Sequence, residues 1–223
     1  MIRVCPRQSA SNLTGVDLTT RFILIRHGQT EWNRGVERFR GRADLLLNET
    51  GLEQANKIGA RLAQEKIAAV YASPLKRTMQ TAQPIAAAHQ LPVVEHSGLL
   101  DIDFGALEGM TVDEARSAFP DVIDKWLTAP GHTKFPKGGS LKAVRGRIDS
   151  LFDDLVPRHA GETVVLVSHK VVCGAVLCYV LGLSADALWR IQQDNGCINT
   201  FEKHGDDWVV TLMNDTGHLG IAN

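Results

Sequence analysis

The stretch "TVVLVS" (Thr163–Ser168), running straight into His169, decides the fold. It is β-branched and apolar along its length and lacks the alternation of a strand with one wet face. It therefore reads as a strand buried on both sides. Similar runs stand at 22–26, 67–72 and 92–95, and helical periodicity fills the gaps between them. Thr50 with Glu53 makes a capping box ahead of Leu52, Ala55, Ile58 and Leu62. Ser73-Pro74 reads as an N-cap and first helical position, with Leu75, Met79, Ala82 and Ile85 as the buried face behind it. Thr111 with Glu114 makes a second box, and Ser140 caps a stripe of Leu141, Val144, Ile148, Leu151 and Leu155. Segments 198–202 and 208–213 read as closing strands around a Gly-Asp turn. Strands alternating with helices predict an α/β fold, a three-layer α/β/α sandwich with a mostly parallel central sheet.

The 223 residues suffice for one domain with a full core, here 21–223 behind a polar extension, 1–20. The formal net charge is -1, with 44% apolar and 22% charged residues, which gives no electrostatic reason to expect a nucleic acid or an anionic membrane as partner. Cys5, Cys173, Cys178 and Cys197 form no C-x-x-C pair and read as reduced, buried thiols of a cytoplasmic protein. The first twenty residues lack the apolar core of a signal peptide. The longest apolar run, Val171 to Leu183, is interrupted by Gly174 and too short to span a bilayer, so a soluble protein is expected.

In a parallel sheet covered on both faces, ligands bind beyond the carboxyl ends of the strands. "RFILIRHGQTEWN" (Arg21–Asn33) delivers Arg26 and His27 to that rim, the run at 67–72 delivers Ser73, and the run at 163–168 delivers His169. Arg77 in "SPLKRTMQT" and Asp101 in "LLDIDFGALEG" follow close behind. Singly, each has an ordinary structural reading. Together they form a set for phosphoryl transfer, a reaction dominated by positioning and charge stabilisation. A neutral imidazole can attack phosphorus if its other nitrogen is held by an acceptor. Arg26, Arg77 and a protonated His169 can hold the equatorial oxygens, and the helix start at Ser73 adds amides and a partial positive charge. A carboxylic acid protonates the leaving alkoxide and then deprotonates water.

The stretches "LIRHGQTEWN", "SPLKRTMQTA", "LLDIDFGALEGM" and "VVLVSHK", in that order, resemble the histidine phosphatase superfamily, the phosphoglycerate-mutase-like enzymes, from about residue 22 to about 220. The resemblance implies that 21–223 is a catalytic domain with His27 as the phosphorylated nucleophile. It also implies a phosphate pocket of Arg26, Arg77 and His169, a phosphate contact from Asn33, and Thr30 beside the nucleophile. The family's acid position falls on Asp101, where Glu is usual, and Glu108 is the alternative acid. In "FPKGGSL", Gly139 stands where Glu is usual.

"D-x-G-x-x-E-G" (Asp103–Gly109) is closer to the phosphatase branch, and the long insertion of the cofactor-dependent mutases is absent. The expected activity is thus hydrolysis of a small phosphorylated metabolite, without metal or cofactor. The alternatives are mutase-type phosphotransfer and a catalytically weak member that binds a phosphorylated ligand. A metallohydrolase is disfavoured, since His89, His96, His132, His159, His204 and His218 show no H-x-H or H-x-x-x-H spacing. Arg34, Arg38, Arg40 and Arg42 could form a solvated basic loop or a site for an anionic substrate tail. Trp32, Phe104 and Trp126 could wall the pocket or belong to the core. The substrate is not legible, and a homodimer stays open.

Overall fold

A computed structural model describes residues 19–220; most of the polar extension, Cys5 included, lies outside the described residues. The elements follow the order β1 (Thr20–Arg26), α1 (Glu49–Leu62), β2 (Ala69–Ala72), α2 (Lys76–Ala88), β3 (Val93–Glu95), α3 (Val112–Ala118), α4 (Pro120–Thr128), α5 (Leu141–Arg158), β4 (Thr163–Ser168), α6 (Lys170–Val180), β5 (Ile198–His204) and β6 (Asp207–Asp215). The strands form one six-stranded sheet in the order β3-β2-β4-β1-β5-β6. β3, β2, β4 and β1 pair in parallel, while β5 and β6 extend the sheet antiparallel. This is the mixed α/β, mostly parallel sandwich expected from the alternation of strands and helices.

The doubly buried character of β1 and β4 divides the core in two. Phe22, Leu24, Val164 and Leu166 pack on one face against Leu151, Leu155 and Val172 from α5 and α6. Ile23, Ile25, Val165 and Val167 pack on the other against Ile58, Leu62, Ala82 and Ile85 from α1 and α2. Burying each such side chain contributes about 1.5–3 kcal/mol, so these strands are anchored from both sides. The Ser140 stripe is buried at all five predicted positions. Ser140 accepts from Ala143 N, and Thr111 and Glu114 form the expected reciprocal box.

Two helix starts differ from the sequence reading. α1 begins at Glu49, capped by Asn48, whose side chain accepts from Gly51 N at 2.9 Å. Starting ahead of Thr50 turns Gly51, Ala55 and Ile58 inward and leaves Leu52 44% exposed. α2 begins at Lys76 with Leu75 at the N-cap position, so Ser73 is not its cap. The Ser73 hydroxyl is bonded to His169 Nε2 at 2.9 Å and accepts only weakly from Leu75 N, at 3.4 Å. Of the amides at this end, Lys76 N donates to Asp44 Oδ1 at 2.7 Å. That amide is therefore not offered to an anion.

Gly28 ends β1 because α1 lies against it. A Cβ there would stand 2.6 Å from Gly51 O, which no side chain tolerates. The glycine after Arg26 and His27 thus lets the strand end rest on the first turn of α1.

Candidate active site

His27, at the carboxyl end of β1, is fully buried. Its Nδ1 lies 2.7 Å from Gly28 O. A carbonyl only accepts, so Nδ1 carries the proton and Nε2 carries the lone pair. Gly28 is fixed in turn, its N donating to Thr81 Oγ1 at 3.1 Å and its carbonyl accepting from Asn195 Nδ2 at 3.3 Å. Nε2 has no hydrogen-bond partner. Burial, reinforced by Arg77 and Arg26, holds the His27 pKa well below its ordinary 6.5. The ring is therefore neutral with its lone pair free.

Arg77, Arg26 and Arg40 stand close enough to His27 to lower its pKa electrostatically. Arg26 Nη1 donates to Gln193 O at 2.6 Å, which leaves Nε unpartnered. Burial, then repulsion from Arg40, pulls Arg26 down to about 10. Arg40 is 7% exposed and tied to Glu37 Oε1 at 3.1 Å and Trp32 O at 3.3 Å, and its Nε is also unpartnered. Among the described residues four buried side-chain polar atoms lack a partner, and three of them are His27 Nε2, Arg26 Nε and Arg40 Nε. Unmade hydrogen bonds of this kind are costly, and donors concentrated around one lone pair mark a place shaped for an anion.

Arg77, also fully buried, is the hub of the remaining groups. It donates to Ala43 O (2.7 Å), Gly41 O (2.9 Å), Asp101 Oδ2 (3.2 Å) and His169 Nδ1 (3.2 Å). Since His169 Nδ1 accepts, its proton sits on Nε2, which donates to Ser73 Oγ at 2.9 Å. The expected protonated His169 is thus a neutral ring here, because burial and then Arg77 hold its pKa well below 6.5. A phosphate dianion beside it would favour the charged form. The rings of His27 and His169 are 5.3 Å apart and inclined at 62°.

Asp101 is 5% exposed, with Oδ2 also 3.6 Å from His169 Nδ1 and Oδ1 accepting from Ile102 N at 2.9 Å. Burial raises its pKa above 3.8 against the opposing pull of Arg77. The shorter side chain reaches the other site groups because its loop is drawn inward: Ile102 and Phe104 are buried. Arg147 on α5 donates to Leu100 O at 2.6 Å and to Asp101 O at 3.3 Å, and Arg42 Nε donates to Asp101 O at 3.2 Å. Glu108, the alternative carboxylate, accepts from Arg42 N at 2.6 Å and closes the loop against Gly41.

Thr30 is buried, and its hydroxyl donates to Asn33 Oδ1 at 2.9 Å. Thr30 N donates to the same oxygen at 3.2 Å, so the Asn33 amide nitrogen is the group left to donate elsewhere. Asn33 shares a polar groove of about 520 Å³ with Arg26. The basic stretch divides: Arg34 is exposed, Arg38 pairs with Glu114, Arg42 braces the acid loop, and Arg40 enters the site. Sequence reasoning named Arg40 only as one of four arginines of a possible anion site, and did not name Glu37, Gln193, Asn195 or Arg147. No local pattern separates Arg40 from its neighbouring arginines, and Arg147 lies far along the chain. Phe104 and Trp126 line a cavity beside Asp101.

Among the described residues no helix is long and apolar enough to cross a membrane, and no group of three or more His, Cys, Asp or Glu is placed to hold a metal ion. Comparison with known proteins agrees with the geometry. The family model of the histidine phosphatase superfamily, branch 1, matches residues 22–216. Phosphoserine phosphatase 1 of Hydrogenobacter thermophilus is 35% identical over 200 residues, covering 90% of this chain and 94% of that one. A probable phosphoglycerate mutase of Yersinia pestis is 30% identical, with 89% and 94% covered. The solved structure of Bacillus stearothermophilus YhfR superposes with a TM-score of 0.85 at 30% identity, covering 90% of this chain and 99% of that one. With the four motifs converged on one buried rim, the chain belongs to the histidine phosphatase superfamily, branch 1.

Proposed function

We propose that residues 21–223 form a metal-independent phosphomonoesterase that works through a phosphohistidine on His27. The observation that carries this reading is the unpartnered, lone-pair-bearing Nε2 of His27 among the unpartnered donors of Arg26 and Arg40. The phosphate dianion is held first by the unpartnered Nε–H groups of Arg26 and Arg40, with Asn33 donating from the groove side, and Arg77 and His169 join by exchanging present hydrogen bonds for bonds to phosphate. His27 Nε2 attacks phosphorus in line with the ester oxygen. As the P–O bond breaks, protonated Asp101 gives its proton to the leaving alkoxide, so a neutral alcohol departs. The Asp101 carboxylate then takes a proton from water, whose oxygen attacks phosphorus. The P–N bond breaks, returning the lone pair to His27 and releasing orthophosphate.

Phosphoserine phosphatase activity in a 35%-identical relative supports hydrolysis of a small phosphorylated metabolite. The probable mutase among the relatives keeps phosphotransfer between substrate positions as the second reading. The three described cysteines, unpaired and buried, support a reducing, cytoplasmic setting. The test is rapid quench with a ³²P-labelled ester. Acid-labile, base-stable label on the wild type, lost in His27→Ala and followed by orthophosphate release without isomerised product, is the expected result. Isomerised product would favour the mutase, and absence of label would remove the covalent mechanism.

A further inference from the structure

Two openings meet at the site, and they differ in chemistry. One is the polar groove bounded by Arg26, Asn33 and the 191–195 segment. The other is a cavity of about 300 Å³ bounded by Asp101 and Arg40 at its inner end. The walls of the second are mostly apolar: Phe104, Ile123 and Trp126 are buried behind it and Val112, Leu127 and Trp189 stand at its mouth, while Glu37, Arg38 and Lys170 also line it. Those three are 39–45% exposed, so three large apolar side chains face water around one opening. The wall is also rigid. Trp126 meets Trp189 edge-on at 5.0 Å, Trp189 Nε1 donates to Trp126 O at 2.7 Å, and Phe135 backs both Phe104 and Trp126 at 4.9 and 5.0 Å.

Asp101 decides which opening takes the leaving group. The acid must lie within hydrogen-bond reach of the ester oxygen, so the alcohol departs on the acid's side. Asp101 borders the apolar cavity and not the polar groove. The charged groups on that side are already paired: Glu37 with Arg40 at 3.1 Å and with Lys170 at 3.4 Å, and Arg38 with Glu114 at 3.3 Å. An amino acid or a hydroxy acid esterified there would bring an ammonium or a carboxylate against aromatic walls, with the available countercharges engaged.

Resting on the phosphatase reading, we infer that the substrate is a phosphomonoester of an apolar alcohol, of aromatic-ring size, seated between Phe104, Trp126 and Leu127 beside Asp101. Phosphate recognition is then the task of the cationic rim, and discrimination among esters the task of this cavity.

The test holds the leaving-group chemistry nearly constant and varies the apolar area. Steady-state kcat/KM is measured for ethyl, n-hexyl and 2-phenylethyl phosphate, with O-phosphoserine and 3-phosphoglycerate alongside. Burying the added carbons should raise kcat/KM by about 10- to 100-fold from ethyl to 2-phenylethyl phosphate, chiefly through KM. Leu127→Asp and Val112→Asp, at exposed positions, should each lower the phenylethyl-to-ethyl ratio about tenfold. The wild-type series carries the test by itself if a variant fails to fold. A ratio near one, or O-phosphoserine or 3-phosphoglycerate preferred over 2-phenylethyl phosphate, overturns the inference and leaves the phosphatase reading standing. Absence of orthophosphate from every ester overturns the phosphatase reading and removes this inference with it.

Discussion

Arg77 Nη2 donates to Asp101 Oδ2 across 3.2 Å, yet burial pushes both groups toward their neutral forms, raising the carboxyl and lowering the guanidinium. The contact positions the Asp101 carboxyl, the proposed acid, more than it ionises it. Asp101→Asn should therefore abolish hydrolysis of alkyl phosphates, which need a proton donor, while sparing phosphohistidine formation from p-nitrophenyl phosphate. Rapid-quench labelling and steady-state release measured on the same variant separate the two. Glu108→Gln should leave the alkyl-to-aryl ratio near wild type, since Glu108 is held by Arg42 N. The reverse pattern would move the acid to Glu108.

The raised Asp101 pKa also predicts a stability trend. A carboxyl with a folded-state pKa above its unfolded value contributes stability below the unfolded value, and that contribution is lost as pH rises through the folded-state value. Against Asp101→Asn, the wild type should lose relative stability from about pH 4 toward neutrality. Urea midpoints of both proteins across that range provide the measurement, and a difference constant with pH would refute the direction.

His27 is held neutral by burial and neighbouring arginines. The labelling rate with an aryl phosphate should not fall between pH 7 and pH 5 through protonation of the nucleophile. A drop governed by a pKa near 6.5 and assigned to His27 by NMR would contradict the geometry.

Arg40→Leu should lower kcat/KM about 10²-fold for every ester alike, the usual scale for removing one preorganised donor at developing charge. Inorganic phosphate should inhibit the variant more weakly. Loss confined to one ester would make Arg40 a contact to the alcohol instead.

Arg147 touches the backbone of the acid loop and no other group of the site. Arg147→Leu should lower kcat for alkyl esters by about 10- to 100-fold through misplacement of Asp101. KM and aryl labelling should change little. Equal losses on alkyl and aryl esters would indicate general damage to the fold.

The layers of this structure were legible where one sequence signal had one physical meaning. The unbroken apolar character of 164–167 has no stable home except between two layers, and it is buried there. Ser140 and Thr111 begin helices because the apolar stripe behind each leaves no competing start. Thr50 failed since Asn48, two residues earlier, offers an equally good cap and a better-buried phase. Ser73 failed because its hydroxyl is engaged by His169, a partner 96 positions away. Arg26, His27, Arg77, Asp101 and His169 were found through motifs and do converge. Arg40 was not separated from its neighbouring arginines and Arg147 was not named, because the roles proposed for them come from what lies across space from them. The neutral resting state of His169 was not legible for the same reason: a sequence carries residue types, not the direction in which Arg77 donates.

The sheet order has a consequence for how the chain reaches this structure. β1 lies between β4 and β5, so Phe22 pairs with Val164 on one side and Phe201 on the other. The strand bearing His27 leaves the ribosome long before either partner exists. Its apolar residues must wait, unpaired, for the second half of the chain. Long-range pairing of this kind slows folding and prolongs exposure of a sticky strand. His27, the proposed nucleophile, is thus made early and installed late, and catalytic competence in a refolding time course should follow closure of β1 onto β4 and β5.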